Sequence, residues 1–299
     1  LYVSTGSQDV IRMVDSNGII STFAGTGPYG FSGDGGPASS ASFNNPHGMD
    51  FDTNGNLYIA DHHNNRVRMI KTDGVITTIA GNGSQGSSGD GGAAIDAELN
   101  KPWGITIDKS GNVYVAEYNG HRIRKIDTNG IITTFAGTGS KDWSGDGGLA
   151  VNANISSPTY MDFDNSSNLF FVQYPHNIIR KIDSNGNIST FAGTGEAGFS
   201  GDGGPAISAR LDIPWGVGVD ESDNVYIMDS GNNRIRKVDT NGTITTFAGN
   251  GEQGSSGDGG LATDAQFNSL QNVVYHADNI YITEWTGQKV RKIDSDGII

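Results

Sequence analysis

The pentapeptide Ser-Gly-Asp-Gly-Gly begins at Ser32, Ser88, Ser144, Ser200 and Ser256, each copy 56 residues after the one before. A chain that repeats at a fixed interval folds as copies of one small unit, so the period is read before any local feature. Two further phrases keep it. Phe-Ala-Gly-Thr-Gly or a near variant begins at Phe23, Ile79, Phe135, Phe191 and Phe247. An apolar, Arg, Met or Lys, apolar segment begins at Ile11, Val67, Ile123, Ile179, Ile235 and Val290, with one residue lost in the last interval. The 299 residues make five units with nineteen residues over, and both ends fall inside a unit.

Each unit reads as four short strands. In the second unit, residues 48–52 follow Asn45-Pro46, and Pro is tolerated just ahead of a strand but not within one. Asn54-Gly55 turns the chain into residues 57–60, rich in the β-branched and aromatic side chains that suit a pleated surface. A loop through Asn64-Asn65 leads to residues 67–70, and Asp73-Gly74 turns into residues 75–80. Asn-Gly or Asp-Gly recurs at that last turn in every unit, at Asn17, Asn129, Asn185, Asn241 and Asp296, which predicts two-residue hairpins with positive φ angles. Four antiparallel strands every 40 to 60 residues is the pattern of a propeller blade. The second and third strands occur six times and the first only five. The fold expected is therefore an all-β, six-bladed β-propeller of four-stranded antiparallel blades, one domain over residues 1–299. Its first blade lacks an inner strand and its sixth most of an outer one. A closed ring would draw the missing strand from beyond Ile299, so a longer parent chain with companion domains is expected.

The phrases GNLYIADHHNNRVRMI, GNVYVAEYNGHRIRKID and DNVYIMDSGNNRIRKVD resemble NHL repeats. The longer unit, with AGTG, FSGDGGPA and the following proline, is similar to the extended NHL repeats of secreted and cell-surface proteins, the teneurin-type propeller among them. The resemblance covers essentially the whole chain and implies the propeller. For function it implies a spread, since the family holds protein binders, RNA binders, receptor sensor domains and a few enzymes.

Composition narrows that spread. There are 19 basic and 33 acidic side chains, a net charge of −14, which argues against binding nucleic acid by neutralising phosphates. The loops on the face where RNA-binding members are basic carry Asp61, Glu117, Asp142, Asp229, Glu252 and Asp264. No run approaches eighteen apolar residues, so no direct insertion in a membrane as a helix is expected. The absence of Cys removes disulfides, thiolate metal sites and thiol catalysis together.

Strand order places the tight turns on one face of a blade and the long connections, about twenty residues each, on the other. Long loops on a rigid scaffold are where binding concentrates. Positions there that differ between units are the candidate rim: His47, Trp103, Thr159, Trp215 and Gln271 after the Pro, at the mouth of the expected channel, and Tyr29, Phe31, Trp143 and Phe199 in the loops. Aromatics around a concave centre suit a peptide or a sugar; the alternative is that these rings pack the loops together. The acids Asp61, Glu117, Asp229 and Glu284 end second strands, with Gln173 and Thr5 in the other two units. They either hold a divalent cation or cap the following loop. Asp50 and Asp162, in first strands, are the other candidate metal ligands; no cofactor is firmly indicated, and calcium is the candidate cation. The Asp of each SGDGG phrase is assigned to folding its loop. The third-strand Arg12, Arg68, Arg124, Arg180, Arg236 and Arg291 are expected to pair with Asp52, Asp108, Asp164 and Asp220 at the ends of first strands, with His276 replacing the Asp in the last unit.

The reading that follows is a non-catalytic extracellular interaction or scaffold module that binds a protein, peptide or glycan through the long-loop face. The alternative is a metal-dependent hydrolase or lyase with its site at the channel. His47, His62, His63, His121, His176 and His276 occupy no repeated first-strand position, so no ring of imidazoles is expected, and no Ser, His and Asp set would be assembled by the blades. The N-x-Ser/Thr sequons at Asn82, Asn154, Asn165, Asn187 and Asn241 are candidate glycosylation sites in a secreted chain.

Overall fold

Strands Pro46–Phe51, Leu57–Asp61, Arg66–Ile70 and Ile76–Ala80 pair in that order as an antiparallel meander, and this sheet is the pattern for the rest. In the computed structural model, which describes residues 1–299, the chain is a six-bladed β-propeller of small antiparallel sheets. Blades 2 to 5 have four-strand meanders, and blade 5 gains a fifth short strand, Gly204–Pro205, from the loop before it. Blade 1 (Tyr2–Thr5, Val10–Val14, Ile20–Ala24) and blade 6 (Leu270–His276, Asn279–Glu284, Lys289–Ile293) have three strands each. Contacts gather the chain into two compact units, Leu1–Gly139 with blades 1 to 3 and Ser140–Ile299 with blades 4 to 6.

The turns between third and fourth strands differ from expectation in one respect. Gly74 has φ +83° but Asp73 is not in the left-handed region, so the loop has three residues: Lys71 N–H donates to Val75 O, and Gly74 N–H to Lys71 O. A type I turn closed by a left-handed glycine needs positive φ only at its last residue. An Asp one place before the loop stabilises most of them. Asp127 Oδ1, for example, accepts the N–H groups of Asn129 and Ile131 at 2.9 Å each.

Within each unit, apolar faces of adjacent blades pack on one another. Ile11 and Ala24 of blade 1 meet Leu57, Ile59, Ile70 and Ile76 of blade 2, and Val217, Ile227 and Val238 of blade 5 meet Val172 and Ile179 of blade 4. This is why the strands are apolar on both sides. Inner strands of neighbouring blades run so close that a Cβ on Gly48 would lie 2.6 Å from the Trp103 carbonyl oxygen, which leaves only glycine there.

The loop that leaves one blade clasps the outer strand of the next. Gly35 N–H donates to Ile76 O at 2.8 Å, Ile76 N–H to Gly36 O at 3.0 Å, and Ala38 N–H to Gly74 O at 2.9 Å. The loop then forms a single 3-10 turn, Ala38–Ser40, before running to the inner strand. The same bonds recur at Gly91 with Ile132, Gly147 with Ile188, Gly203 with Ile244 and Gly259 with Ile299.

Candidate functional site

The third-strand arginines are buried, and their partners correct the expected pairing. Arg68 Nη2 donates to Asp34 Oδ1 at 2.7 Å and to Ser32 O at 3.0 Å, while its Nη1 lies 3.4 Å from Asp61 Oδ2. Asp34 Oδ2 accepts the Thr78 hydroxyl at 2.7 Å. Arg124 repeats this with Asp90 and Glu117, and Arg236 with Asp202 and Asp229. Arg180 pairs with Asp146 and, lacking an acid, with Gln173 Oε1 at 3.1 Å. Arg291 pairs with Asp258 and Glu284. The SGDGG aspartates are thus salt-bridge partners as well as loop residues. The first-strand aspartates are used elsewhere. Asp52 accepts the Asn54 and Asn56 N–H groups and the Asn56 amide, closing its own turn, and Asp108, Asp164 and Asp220 do the same. A short side chain at the head of a turn reaches the turn's own donors first.

The candidate metal ligands are consumed by these bonds. Asp61 accepts the Asn44 N–H at 2.8 Å and the Asn64 amide, so it caps the loop ahead of its blade as well as the loop that follows. Burial pushes the Asp61 and Asp229 carboxyls up to about 6 and Glu117 up to about 7, against the pull of their donors and arginines. Burial also raises Glu284. Asp50 Oδ2 accepts the Ile107 N–H from the next inner strand at 2.9 Å, and Asp162 Oδ2 accepts the Val219 N–H at the same distance. Both are inter-blade ties. No three His, Asp or Glu side chains converge in a set that could hold a metal ion.

In the first unit, His47 and Trp103 stack at 3.7 Å with planes 18° apart, and the His62 ring stands edge-on to both. Tyr118 and His63 extend the cluster. His62 Nδ1 donates to the Pro102 carbonyl at 3.0 Å, which fixes its neutral tautomer with the lone pair on Nε2. His47 is only 8% exposed and its Nε2 has no hydrogen-bond partner. Burial, then the nearby His62 and His63, lower its pKa to about 3; burial lowers His62 to about 4. His47 is therefore a packing residue and not part of an exposed rim, and His62 is buried beside it.

In the second unit, Thr159 is also fully buried, its hydroxyl donating to the Trp215 carbonyl at 2.8 Å. Trp215 and Gln271 do come together. They line a cleft of about 390 Å³ whose apolar part is Trp215, Ile213 and Leu270 and whose polar part is Ser230, Asn233, Gln253, Ser269 and Gln271. Tyr174 meets Trp215 edge-on at 4.8 Å and holds its ring. No lining residue is ionisable. A second cleft, of about 290 Å³, lies where the Gly35–Gly36 loop clasps blade 2, with Phe23, Pro37, Ile70 and Val75 among its walls.

The remaining rim candidates divide. Phe31 and Phe199 lie under the guanidinium groups of Arg66 and Arg234, at 3.8 and 4.0 Å, so they pack loops together. Trp143 lies against Gly195 and near His176. Tyr29 is 79% exposed. Among the sequons, the Asn82 amide donates to Asp96 O, Asn165 to Glu221 O and Asn187 to Asp183; Asn154 is half-buried and Asn241 exposed. Two features went unread in the sequence: the polar walls of the cleft, and the Asp to Arg pairing. The second had a signal, a constant 34 residues from SGDGG Asp to third-strand Arg in blades 2 to 5.

The family profile of the Teneurin NHL domain matches residues 29–88, 82–144 and 193–256. Teneurin-1 of Gallus gallus is 30% identical over 276 residues, covering 79% of this chain and 10% of that protein; the chain spans about a tenth of the teneurins it matches. Among solved structures, an auxiliary nutrient binding protein from Bacteroides thetaiotaomicron superposes with a TM-score of 0.67 at 18% identity, over 97% of this chain and 65% of that one. Virginiamycin B lyase from Staphylococcus aureus superposes with 0.60 at 17% identity, over 99% and 78%. At these identities the two structures share the fold alone.

Proposed function

Because the chain belongs to the Teneurin NHL domain family, we propose that it is an extracellular interaction module, and that the cleft at Trp215 and Gln271 binds a neutral, hydroxyl-rich ligand, a glycan. The observation that carries this is the composition of the cleft. An indole wall offers a flat apolar surface for the C–H face of a sugar ring, and the amides and hydroxyls of Asn233, Gln253, Ser269 and Gln271 offer donors and acceptors for its hydroxyls. With no ionisable lining group, the cleft neither rewards nor repels charge, which favours a neutral ligand over an acidic or basic peptide. The metal-dependent hydrolase or lyase reading gains no set of residues here, since the acids nominated for it are each bound within or between blades.

The test is a panel of immobilised neutral glycans and of peptides, probed with the wild-type chain and with Trp215→Ala. Saturable binding to a glycan that falls at least tenfold in the variant supports the reading. Binding to peptides alone, or glycan binding indifferent to Trp215, sinks it.

A further inference from the structure

We propose that Asn82-Gly83 and Asn250-Gly251 are built sites of succinimide formation, where the asparagine of the folded chain converts to isoaspartate and aspartate. The chemistry needs no partner but water, and it does not depend on what the cleft at Trp215 binds.

Asn-Gly occurs eight times in the chain. At six of these the glycine N–H, whose nitrogen must attack the asparagine side chain, is pinned by a backbone carbonyl. Gly18 donates to Asp15 O, Gly55 to Asp52 O, Gly120 to Glu117 O, Gly130 to Asp127 O, Gly186 to Asp183 O and Gly242 to Asp239 O, all at 2.9–3.1 Å. The N–H groups of Gly83 and Gly251 make no hydrogen bond within the chain, and Asn82 and Asn250 are exposed to water. A pinned nitrogen has to give up its bond before it can turn onto a neighbouring carbon, and a free one does not.

The surroundings of the two free sites fit the reaction. Arg66 Nη2 donates at 2.8 Å to Asn82 O, the oxygen of the same peptide group as the Gly83 nitrogen. A cation on that oxygen favours loss of the N–H proton. Ser84 N–H donates at 2.8 Å to Asn82 Oδ1, where negative charge gathers as the nitrogen adds to Cγ. The Asn82 amide donates to Asp96 O at 3.0 Å, so the side chain is oriented by a donor on one side and an acceptor on the other. Asn250 repeats the set. Arg234 Nη2 donates to Asn250 O at 2.9 Å, Glu252 N–H to Asn250 Oδ1 at 2.8 Å, and the Asn250 amide to Asp264 O at 3.3 Å. Each guanidinium lies so close over its glycine that a Cβ there would run into it. Arg122 makes the same contact with Thr138 O at 2.7 Å, so the arginine belongs to the repeat; it meets reactive chemistry only where Asn replaces that Thr.

In the step itself, the glycine nitrogen forms a bond to Cγ and gives its proton to solvent, while Nδ2 takes up a proton and leaves as ammonia. Water then opens the ring at either carbonyl. One product is aspartate, the other isoaspartate, in which the main chain runs through the former side chain. The site at Asn250 adjoins the cleft, since Gly251 O accepts the amide of Asn233, a cleft residue, at 3.3 Å.

The chain is made in a host that adds no N-glycan, because a sugar on Asn82 would occupy Nδ2. It is incubated folded at mildly alkaline pH, and aspartate and isoaspartate at each Asn-Gly are followed by peptide mass spectrometry. Asn82 and Asn250 should convert at least tenfold faster than each of the six pinned sites, and the eight rates should converge in concentrated guanidinium chloride. Arg66→Gln should slow Asn82 at least threefold and leave Asn250 unchanged, and Arg234→Gln should do the reverse, so each variant is the folding control for the other. Pinned sites that convert as fast as these two overturn the proposal. So does a spread of rates that persists in denaturant, or conversion of Asn82 in Arg66→Gln that is as fast as in the wild type or faster.

Discussion

Asp34 Oδ1 lies 2.7 Å from Arg68 Nη2, and the two residues belong to different stretches of the repeat: Asp34 is on the loop leaving blade 1, Arg68 on the third strand of blade 2. The guanidinium is fully buried and the carboxylate partly exposed. The salt bridge thus ties one blade's exit loop to the next blade, and the buried end is the costly one to disturb. Its Nε–H has no acceptor, and the planar face is covered by Phe31 and Phe43.

Removing the arginine leaves a buried carboxylate with only the Ser87 hydroxyl and the Asn100 N–H for partners. Arg124→Met should destabilise the chain by about 3–5 kcal/mol, because Glu117 loses its cation while remaining out of water. Asp90→Ala should cost less, about 1–2 kcal/mol, since that carboxylate is half exposed and solvent already screens it. Urea unfolding of the two variants gives the comparison; equal losses would mean the network is not anchored at its buried end.

The imidazole cluster makes a pH-dependent contribution of known sign. His47 titrates near 3 in the folded chain and near 6.5 when unfolded, so below pH 6.5 the unfolded chain takes up a proton that the folded one refuses. This contribution to stability is whole above pH 6.5 and falls as the pH drops towards 3. The buried acids Asp50, Asp61, Asp229 and Glu117 act in the opposite sense, gaining relative stability as pH falls through 7 to 4. Wild type must therefore be compared with His47→Asn. Between pH 7 and 4.5 the wild type should lose roughly 2 kcal/mol more than the variant, and parallel curves would remove His47 from the account.

Trp103 and Trp215 occupy the same place in the repeat yet should respond differently. Trp103 is stacked on buried His47, so Trp103→Ala should lower stability by about 3 kcal/mol. Trp215→Ala should weaken ligand binding at least tenfold with a smaller fall in Tm. A thermal shift assay run beside the glycan panel separates the two effects.

Calcium and chelator give a direct check on the carboxylates. With Asp50 and Asp162 bound to backbone N–H groups of the next strand, Tm should be the same in calcium and in EDTA. Asp50→Asn should keep the Ile107 bond through its amide oxygen and be as stable as wild type at pH 8, where the native carboxylate is charged and buried. A Tm lowered by EDTA would show a cation that these bonds do not account for.

The blades were legible in the sequence because their signal is periodic. Pro46, Asn54-Gly55 and Asp73-Gly74 each mark a boundary, and the strands lie within two residues of where those marks put them. Which acid meets which arginine was not legible. Asp52 and Asp34 recur with the same period, so the period cannot choose between them; the choice is made by Asn56, which satisfies Asp52 locally, and by the loop path that brings Asp34 back over the next blade. The rim was legible only in part. Variation between repeats marked His47, Trp103, Thr159, Trp215 and Gln271 alike, but burial depends on neighbours that the repeat does not hold constant, such as His62 beside His47 and Trp215 O above Thr159.

The clasp also decides what counts as one part of this protein. Covalent connection and tertiary fastening are out of step by one blade: Gly35 and Asp34 follow the outer strand of blade 1 in the chain but hold the outer strand of blade 2. A proteolytic nick in that loop would loosen the blade downstream and spare the one upstream. The segment that can be exchanged or duplicated intact accordingly begins at a clasping loop and ends after the outer strand it holds.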